Sequence, residues 1–351
     1  MKKLWKGNEA IAEAAVAAGC RYFFGYPITP QNEIPEYMSW RLFEVGGGFI
    51  QAESEVSAIN MVYGAAGAGA RAMTSSSSPG ISLKQEGISY LAGADLPCVI
   101  VNMMRSGPGL GGIQPAQGDY FQATKGGGHG DYLCVVYAPS TVQEFVDLTY
   151  RAFDVADEYL TPVMIIGDGM LGQMMEPAEI PPMRDLSTLP NKDKWAACGH
   201  SDGKQRLINS IRIDSDDLEQ FNHHLFEKYK KIAEKETKWE EYKSEDAEIV
   251  FVAYGSVARI CKAAVVELRA QGIKAGLIRP ITLYPYPSEV IAKKAQCKDV
   301  KKFITVELSM GQMVEDVRLA VNGAKPVEFY GRCGGNVMMP EDLVKYVKES
   351  K

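Results

Sequence analysis

Gln51-Ala-Glu-Ser-Glu-Val56 opens the stretch around which the chain is organised, and Ser75-Ser-Ser-Ser-Pro-Gly80 closes it. Its two carboxylates, Glu53 and Glu55, follow the apolar pair Phe49-Ile50, which reads as the end of a strand. From Glu55 onward, Ile59, Val62, Tyr63, Ala66 and Ala70 recur at helical spacing. Gly64, Gly67 and Gly69 thin that helix, so that another backbone can lie close to it. A carboxylate at the entrance of a buried helix is costly unless a partner takes its proton or its hydrogen bond. Acids at strand–helix junctions also serve simply as N-terminal dipole partners. Spacing leaves both readings of Glu53 and Glu55 open.

Working outward, strands and helices alternate. Expected strands are Tyr22–Phe24, Phe49–Gln51, Ala72–Thr74, Cys98–Asn102, Leu133–Val136 and Val163–Ile166. Between them the pattern predicts a helix from Asn8, as cap, to Ala18, and another from Thr29-Pro30, as cap and first residue, to Phe43. Further helices are expected over Glu55–Ala70 and Ile81–Leu91, and after a capping box at Thr141 and Glu144. Residues 177–246 break the alternation: Pro177, Pro181, Pro182 and Pro190 interrupt regular structure, and Leu218 to Glu245 is heavily charged, with one amphipathic helix. This reads as a connecting segment packed on a neighbour. Strands Ile249–Ala253, Ala275–Ile278, Phe303–Val306 and Val327–Tyr330 then alternate with helices Val257–Ala270, Pro287–Gln296, Gln312–Val321 and Pro340–Lys348. Such alternation implies right-handed crossovers and parallel sheets. The expected organisation is an α/β domain over 1–176, a connecting segment over 177–246 and a smaller α/β domain over 247–351.

A length of 351 residues suits about two domains, and a net charge of −6 gives no general attraction to nucleic acid or anionic membranes. No run approaches the ~20 apolar residues of a membrane span, and Met1-Lys2-Lys3-Leu4-Trp5-Lys6 has no leader-like apolar region. The expected location is the cytoplasm. Seven cysteines are scattered without a Cys-x-x-Cys pair, which argues against disulfides, zinc or iron–sulfur ligation within this chain.

Ligands of open parallel sheets bind outside the carboxyl ends of the strands. Four loops stand there: Tyr26–Pro30, Gln51–Glu55, Ser75–Gly80 and Met104–Gly112. Arg105 carries a guanidinium suited to a planar carboxylate, or else pairs with a local acid such as Asp119. Thr29 is a helix cap or a hydroxyl facing the Arg105 loop. Ser75–Ser78 forms either a hydroxyl-lined pocket wall or a plain loop; it is not a phosphate loop, since no Gly-Lys-Ser/Thr follows. Gly167-Asp168-Gly169 looks like the start of a thiamine-diphosphate Mg²⁺ motif. The next asparagine, Asn191, is too close and follows a proline-broken segment, so a turn is expected there and no metal. Gly331-Arg-Cys-Gly-Gly335 also reads as a turn, and His129 stands among glycines in another loop.

With these loops in place, the chain resembles the α subunit of a 2-oxo acid:ferredoxin oxidoreductase over nearly its whole length. The resemblance is carried by Gly25-Tyr-Pro-Ile-Thr-Pro30, Ala52-Glu-Ser-Glu55, Met73-Thr-Ser-Ser-Ser-Ser-Pro-Gly-Ile-Ser-Leu83 and Met104-Arg-Ser-Gly-Pro-Gly109. The 2-oxoisovalerate (3-methyl-2-oxobutanoate) type is most similar, through Tyr26–Met38 and Gln114–Asp131. It implies a pyrimidine-binding domain for thiamine diphosphate, followed by a domain related to the transketolase C-terminal domain. It further implies that Glu55 hydrogen-bonds N1′ of the aminopyrimidine, favouring the tautomer whose N4′ removes the C2 proton. Pro27, Ile28 and Ser77 join Glu55 in holding the cofactor, Arg105 holds the substrate carboxylate, and Thr29 hydrogen-bonds the substrate. Oxidative decarboxylation then yields CO₂ and, with coenzyme A as co-substrate, an acyl-CoA, while ferredoxin is reduced. A partner β subunit would supply Mg²⁺, the diphosphate site and a 4Fe–4S cluster, and a small ferredoxin-like subunit would complete the assembly. Alternatives are the same chemistry on 2-oxoglutarate or pyruvate, a transketolase or NAD-linked dehydrogenase subunit, and a non-catalytic nucleotide-binding scaffold.

Overall fold

The computed structural model describes residues 2–199 and 203–350; residues 200–202 of the expected connecting segment lie outside the described part. The first half contains β1 (Lys3–Lys6), α1 (Gly7–Ala17), β2 (Tyr22–Gly25), α2 (Glu33–Glu44), β3 (Gly48–Gln51), α3 (Glu55–Gly67) and β4 (Ala72–Ser76). It continues through α4 (Ser78–Gly93), β5 (Cys98–Met104), α5 (Tyr120–Thr124), β6 (Val135–Tyr137), α6 (Val142–Tyr159), β7 (Pro162–Asp168), α7 (Gly169–Gln173) and β8 (Met175–Ala178). The second half holds α8 (Ser215–Glu236), β9 (Trp239–Tyr242), β10 (Ile249–Val252), α9 (Gly255–Ala270), β11 (Ala275–Pro280), β12 (Thr282–Tyr284) and α10 (Ser288–Ala295). It ends with β13 (Lys302–Glu307), α11 (Met313–Val321), β14 (Val327–Gly331) and α12 (Pro340–Glu349).

Two sheets organise the chain, in the orders β12-β6-β7-β5-β4-β2-β3 and β14-β13-β10-β11-β9. Each is parallel except for one antiparallel edge strand: β12 pairs with β6, and β9 with β11. The first sheet has α1, α2, α6 and α8 over one surface, where Ile11, Met38, Phe153 and Ile232 share a core. Its other surface carries α3 and α4 and continues into the second sheet through Tyr254, Ile278, Phe303 and Met313, so the two sheets share one apolar core. The chain leaves β2 toward β3 and returns on the far side of β2 as β4. That reversal opens a crevice above the carboxyl ends of β2 and β4, the usual ligand position in such sheets.

Several expectations are corrected. Asn8 is not the cap of α1. The strand β1, paired with β8, runs straight into the helix, and the Asn8 side chain is buried, donating to Pro30 O at 2.8 Å and Glu33 Oε2 at 2.7 Å. Thr29 and Pro30 do not start α2. Residues 28–31 first make a turn, with Gln31 N–H on Ile28 O at 3.1 Å, and the helix begins at Glu33. Only half of the capping box forms: Thr141 accepts from Glu144 N at 3.1 Å, but the Glu144 carboxylate turns to Ser140 N at 2.7 Å and to Arg279. The segment after residue 177 contributes β9 to the second sheet, while α8 buries Leu225, Tyr229 and Ile232 against the first. The glycines of α3 do not meet a helix: Gly64 faces open space, and Gly67 and Gly69 meet Ile208, Ala196 and Lys192.

Arg279 fastens the halves together. Its guanidinium is almost wholly buried, takes Glu144 through Nη1 and Nη2 at 2.9 and 2.6 Å, and takes Glu240 through Nε at 2.7 Å. Removing one partner of such a cluster leaves buried carboxylates uncompensated. Arg279→Met is expected to lower unfolding free energy by about 3 kcal/mol, measured by urea titration. Burial pushes the Glu240 carboxyl up, but hydrogen bonds from Lys262 and Arg279 bring it below its ordinary 4.5. A depressed acid contributes stability above its ordinary value that is lost as pH falls through the folded one. Stability should therefore fall below pH 4.5, and less steeply in Arg279→Met.

Candidate active site

Glu55 and Glu53 have opposite environments. Glu53 is exposed and accepts a hydrogen bond from Ser57 Oγ, whereas Glu55 is buried, 7% exposed, at the first turn of α3. Ser54, not either acid, caps the helix by accepting from Ser57 N at 3.2 Å. The cap leaves the Glu55 carboxylate free to turn inward toward α4. There Gly80 lets it in: a Cβ on Gly80 would stand 2.6 Å from Glu55 Oε1 and would also clash with Ser76 Oγ. Two turns further on, Gly87 packs on Ile59 of α3, and a Cβ there would clash with the Ile59 side chain, 2.8 Å from Cγ1 and nearer still to Cγ2. The close helix approach read from the sequence is thus made by the glycines of α4.

The serine run is neither a loop nor a single wall. Ser75 and Ser76 end β4, Ser77 is the N-cap position of α4, and Ser78 begins the helix. Each hydroxyl has a different fate. Ser75 Oγ donates to Gln31 Oε1, and Gln31 in turn reaches Tyr26 O at 3.3 Å, which ties the loop after β2 to β4. Ser78 Oγ donates to Asp119 Oδ2 at 2.6 Å and accepts from Arg105 N at 3.0 Å. Ser76 Oγ and Ser77 Oγ are buried and have no hydrogen-bond partner among the described residues. An orphaned buried hydroxyl costs about 1–3 kcal/mol unless a ligand satisfies it. Ser77 is the serine that the family resemblance singles out; Ser76 was not distinguished from its neighbours.

Arg105 emerges from the end of β5, mostly buried. It does not pair with Asp119. Its Nη1 donates to Thr29 O at 3.1 Å and its Nη2 to Leu110 O at 3.0 Å, while Nε is buried without a partner among the described residues. Asp119 is engaged instead with Ser78 and with Asn102 Nδ2 at 2.8 Å; burial pushes its carboxyl up, against the two hydrogen bonds. Thr29 is brought beside Arg105 as expected, but as part of a turn, its Oγ1 accepting from Asn32 Nδ2 at 3.4 Å. Pro27 is exposed and Ile28 half-buried in the same loop. A cavity of about 330 Å³ lies beside the Arg105 loop, walled by Ser78, Arg105 and Ser106 and, from the second half, by Met310, Gln312 and Cys333. The segment Gly331–Gly335, read from the sequence as a turn with some chance of touching a ligand, borders the same hollow as Arg105 through Cys333 and Gly334. His129 is exposed and lines a separate depression with Tyr90 and Phe221.

Asp168 also differs from a simple turn residue. Its Oδ1 caps α7 by accepting from Met170 N at 3.0 Å and Leu171 N at 3.2 Å, and its Oδ2 accepts from Ser256 Oγ. Among the described residues, no group of three or more His, Cys, Asp or Glu is placed to hold a metal ion. Nor, among them, is any helix long and apolar enough to cross a membrane.

The residue that sequence reading missed is Lys84, wholly buried on α4, with its Nζ on Thr74 Oγ1 at 2.6 Å. Burial pushes the ammonium down to about 7, with the Glu55 charge pulling the other way. A lysine at a core position of a glycine-rich helix was the available signal, and its charge was out of register with the apolar pattern.

A buried acid, two orphaned hydroxyls and a glycine cradle suit a flat, polar heteroaromatic ring at this crevice, and the thiamine pyrimidine is such a ring. Comparison with known proteins gives the family. The family "Pyruvate flavodoxin/ferredoxin oxidoreductase, thiamine diP-bdg" matches residues 13–245, and "Pyruvate:ferredoxin oxidoreductase core domain II" matches 247–343. Ketoisovalerate oxidoreductase subunit VorB of Methanothermobacter thermautotrophicus is 53% identical over 98% of this chain and 96% of its own. 2-Oxoglutarate synthase subunit KorA of Archaeoglobus fulgidus is 36% identical over 99% of this chain and 98% of its own. Among solved structures, the 2-oxoglutarate:ferredoxin oxidoreductase from Magnetococcus marinus, with 2-oxoglutarate, coenzyme A and succinyl-CoA bound, superposes with a TM-score of 0.86 at 26% identity. That match covers 99% of this chain and 65% of the other, so the present chain spans about two thirds of the length of that chain. A split-gene transketolase shares the fold alone, with a TM-score of 0.57 at 14% identity. This chain belongs to the thiamine-diphosphate-binding pyruvate flavodoxin/ferredoxin oxidoreductase family, as an α-type subunit of a 2-oxo acid:ferredoxin oxidoreductase.

Proposed function

We propose that the chain serves an enzyme that oxidatively decarboxylates 2-oxoisovalerate and related branched-chain 2-oxo acids to acyl-CoA and CO₂, with reduction of ferredoxin. The observation that carries the site is the buried Glu55 carboxylate, set against Gly80 and beside the unpartnered Ser76 and Ser77 hydroxyls. The branched-chain assignment rests on the 53% identity to a ketoisovalerate oxidoreductase subunit. Thiamine diphosphate, when bound, supplies the electron sink that makes loss of CO₂ from a 2-oxo acid feasible. Toward it, Glu55 holds a hydrogen bond or proton at ring nitrogen N1′, Ser77 satisfies a polar ring edge, and Pro27 and Ile28 cover the ring. Arg105, kept rigid by its bonds to Thr29 O and Leu110 O, retains an unpartnered Nε for the substrate carboxylate. The Thr29 hydroxyl orients the substrate from the adjoining loop.

The rest of the reading concerns the assembly. A β subunit supplies the diphosphate site, Mg²⁺ and a 4Fe–4S cluster, and a small ferredoxin-like subunit completes it. Exposed Ile50, Val56 and Leu83 around the entrance to Glu55 suit an apolar subunit contact there. Scattered cysteines without a pairing pattern fit a reducing, cytoplasmic setting.

Three measurements test the reading. The intact assembly, purified without oxygen, should show its strongest coenzyme A-dependent viologen reduction with 2-oxoisovalerate rather than pyruvate or 2-oxoglutarate. Preference for another acid would keep the mechanism and correct the substrate, whereas an inert assembly that retains thiamine and clusters would point to the scaffold. Glu55→Ala should abolish turnover while the subunits still co-purify, and Glu53→Ala should remain near wild type; full activity in Glu55→Ala would remove the proposed acid. Arg105→Ala should raise KM for the oxo acid, a loss of about 2–5 kcal/mol for a desolvated ion pair. An unchanged KM would reassign the carboxylate.

A further inference from the structure

Asn102 interrupts an otherwise apolar strand, Cys98-Val-Ile-Val-Asn-Met-Met104, and is wholly buried. An amide there is costly unless its polar atoms are paired. Both are paired: Oδ1 accepts from Ser78 N at 3.0 Å, and Nδ2 donates to Asp119 Oδ2 at 2.8 Å. These partners fix the orientation of the amide, since the N–H of Ser78 needs the oxygen and the carboxylate needs the nitrogen. A serine at an N-cap ordinarily spends its hydroxyl on the first turn of its own helix. Ser77, the N-cap residue of α4, makes no such bond. The first amide of the helix, Ser78 N, is satisfied from β5 by Asn102, and the Ser77 hydroxyl stays free of partners among the described residues. Ser78 in turn reaches both ways. Its hydroxyl donates at 2.6 Å to the same Asp119 oxygen that Asn102 holds, and accepts from Arg105 N at 3.0 Å. A closed ring of hydrogen bonds through Asn102, Ser78 and Asp119 thus joins the start of α4, next to Ser77, to the strand end that carries Arg105.

We propose that Asn102 is a positioning residue: clamped by Asp119, it takes over the capping of α4 and locks Ser77 and Arg105 at one spacing, so that a ring at the serines and a carboxylate at the arginine meet in register. This rests on the reading of Ser77 and Arg105 given above. Asn102 acts through Ser78 and Asp119.

Asn102→Asp tests this with little change of shape. The new carboxylate still accepts from Ser78 N but stands against Asp119, where the 2.8 Å hydrogen bond was. Two constants are measured on the assembly purified without oxygen: the equilibrium affinity of its thiamine-free form for thiamine diphosphate with Mg²⁺, and KM for its preferred 2-oxo acid once that site is saturated. Both should weaken by about tenfold or more while the subunits still co-purify. Adding Asp119→Asn to Asn102→Asp exchanges donor and acceptor; Ser78 Oγ then accepts from the new amide and turns its proton to Arg105 O, 3.2 Å away. The exchanged pair should recover most of both losses. A residue that only supported the fold would lower the melting temperature and leave both constants of the assembled enzyme alone. Wild-type constants in an assembled Asn102→Asp, a shift in one constant without the other, or a loss that the exchange leaves uncorrected would overturn the inference. Where Asn102→Asp does not assemble, Ser78→Ala decides, since it removes the shared hydroxyl and keeps the bond from Ser78 N to Asn102; wild-type constants there overturn it equally. The readings fail separately: unchanged cofactor affinity in Ser77→Ala, or unchanged KM in Arg105→Ala, removes the role of that residue, whereas losses in both beside a wild-type Asn102→Asp remove only the role of Asn102.

Discussion

Taking a carboxylate out of water is among the larger local costs a fold can carry, and Glu55 imposes that cost on everything near it. The acid must be brought to the crevice by a helix whose first turn is already satisfied, which Ser54 achieves by capping α3. It must find space in the neighbouring helix, which Gly80 gives by lacking a side chain. It must also face polar groups rather than core, and the junction of β4 and α4 provides Ser76 and Ser77. Strand reversal between β2 and β4 sets these parts side by side. None of these parts makes the buried polar niche alone; together they do.

The second half acts on this site by buttressing the Arg105 loop. Gln117 exchanges hydrogen bonds with Leu308, accepting from its N–H at 3.1 Å and donating to its O at 2.8 Å from the main chain. Gln312 reaches Gly118 O at 2.7 Å, and Tyr120 donates to Asp316 at 2.5 Å. Residues 105–120, which carry little regular structure, are thereby fixed from both sides. Glu307, buried and accepting from the amides of Gln312, Met313 and Val314, stiffens the opposite wall at the start of α11. The loop that carries Arg105 is held by side-chain and main-chain hydrogen bonds from the second half of the chain.

Much of the architecture could be read from residue order, because parallel α/β units leave a strong alternating pattern and end their strands in glycine- and proline-rich loops. The Arg105, Thr29 and Glu55 loops were found for that reason, and the family resemblance lay in the same loops. What escaped depends on contacts between distant residues. Asn8 looked like a cap because caps are local, yet its partners are Pro30 and Glu33 across a crossing helix. Asp119 looked like the natural mate of Arg105, but only the fold shows that Ser78 and Asn102 reach it first. Lys84 was missed because its burial and its bond to Thr74 arise only when α4 packs, and the antiparallel strands β9 and β12 are too short to leave a period-two signature.

The pairing of β12 with β6, Thr282 opposite Tyr137 and Tyr284 opposite Val136, has a temporal side. A chain emerging from the ribosome completes six strands of the first sheet long before residue 284 appears. Through that interval β6 would stand as an open edge with unpaired main-chain groups, a template for another strand. The edge closes only when about half of the second half has been made. Vectorial synthesis thus leaves the first sheet exposed to wrong neighbours for over a hundred residues' worth of translation, and the short strand that ends this exposure is a late-arriving seal supplied by the other half of the same chain.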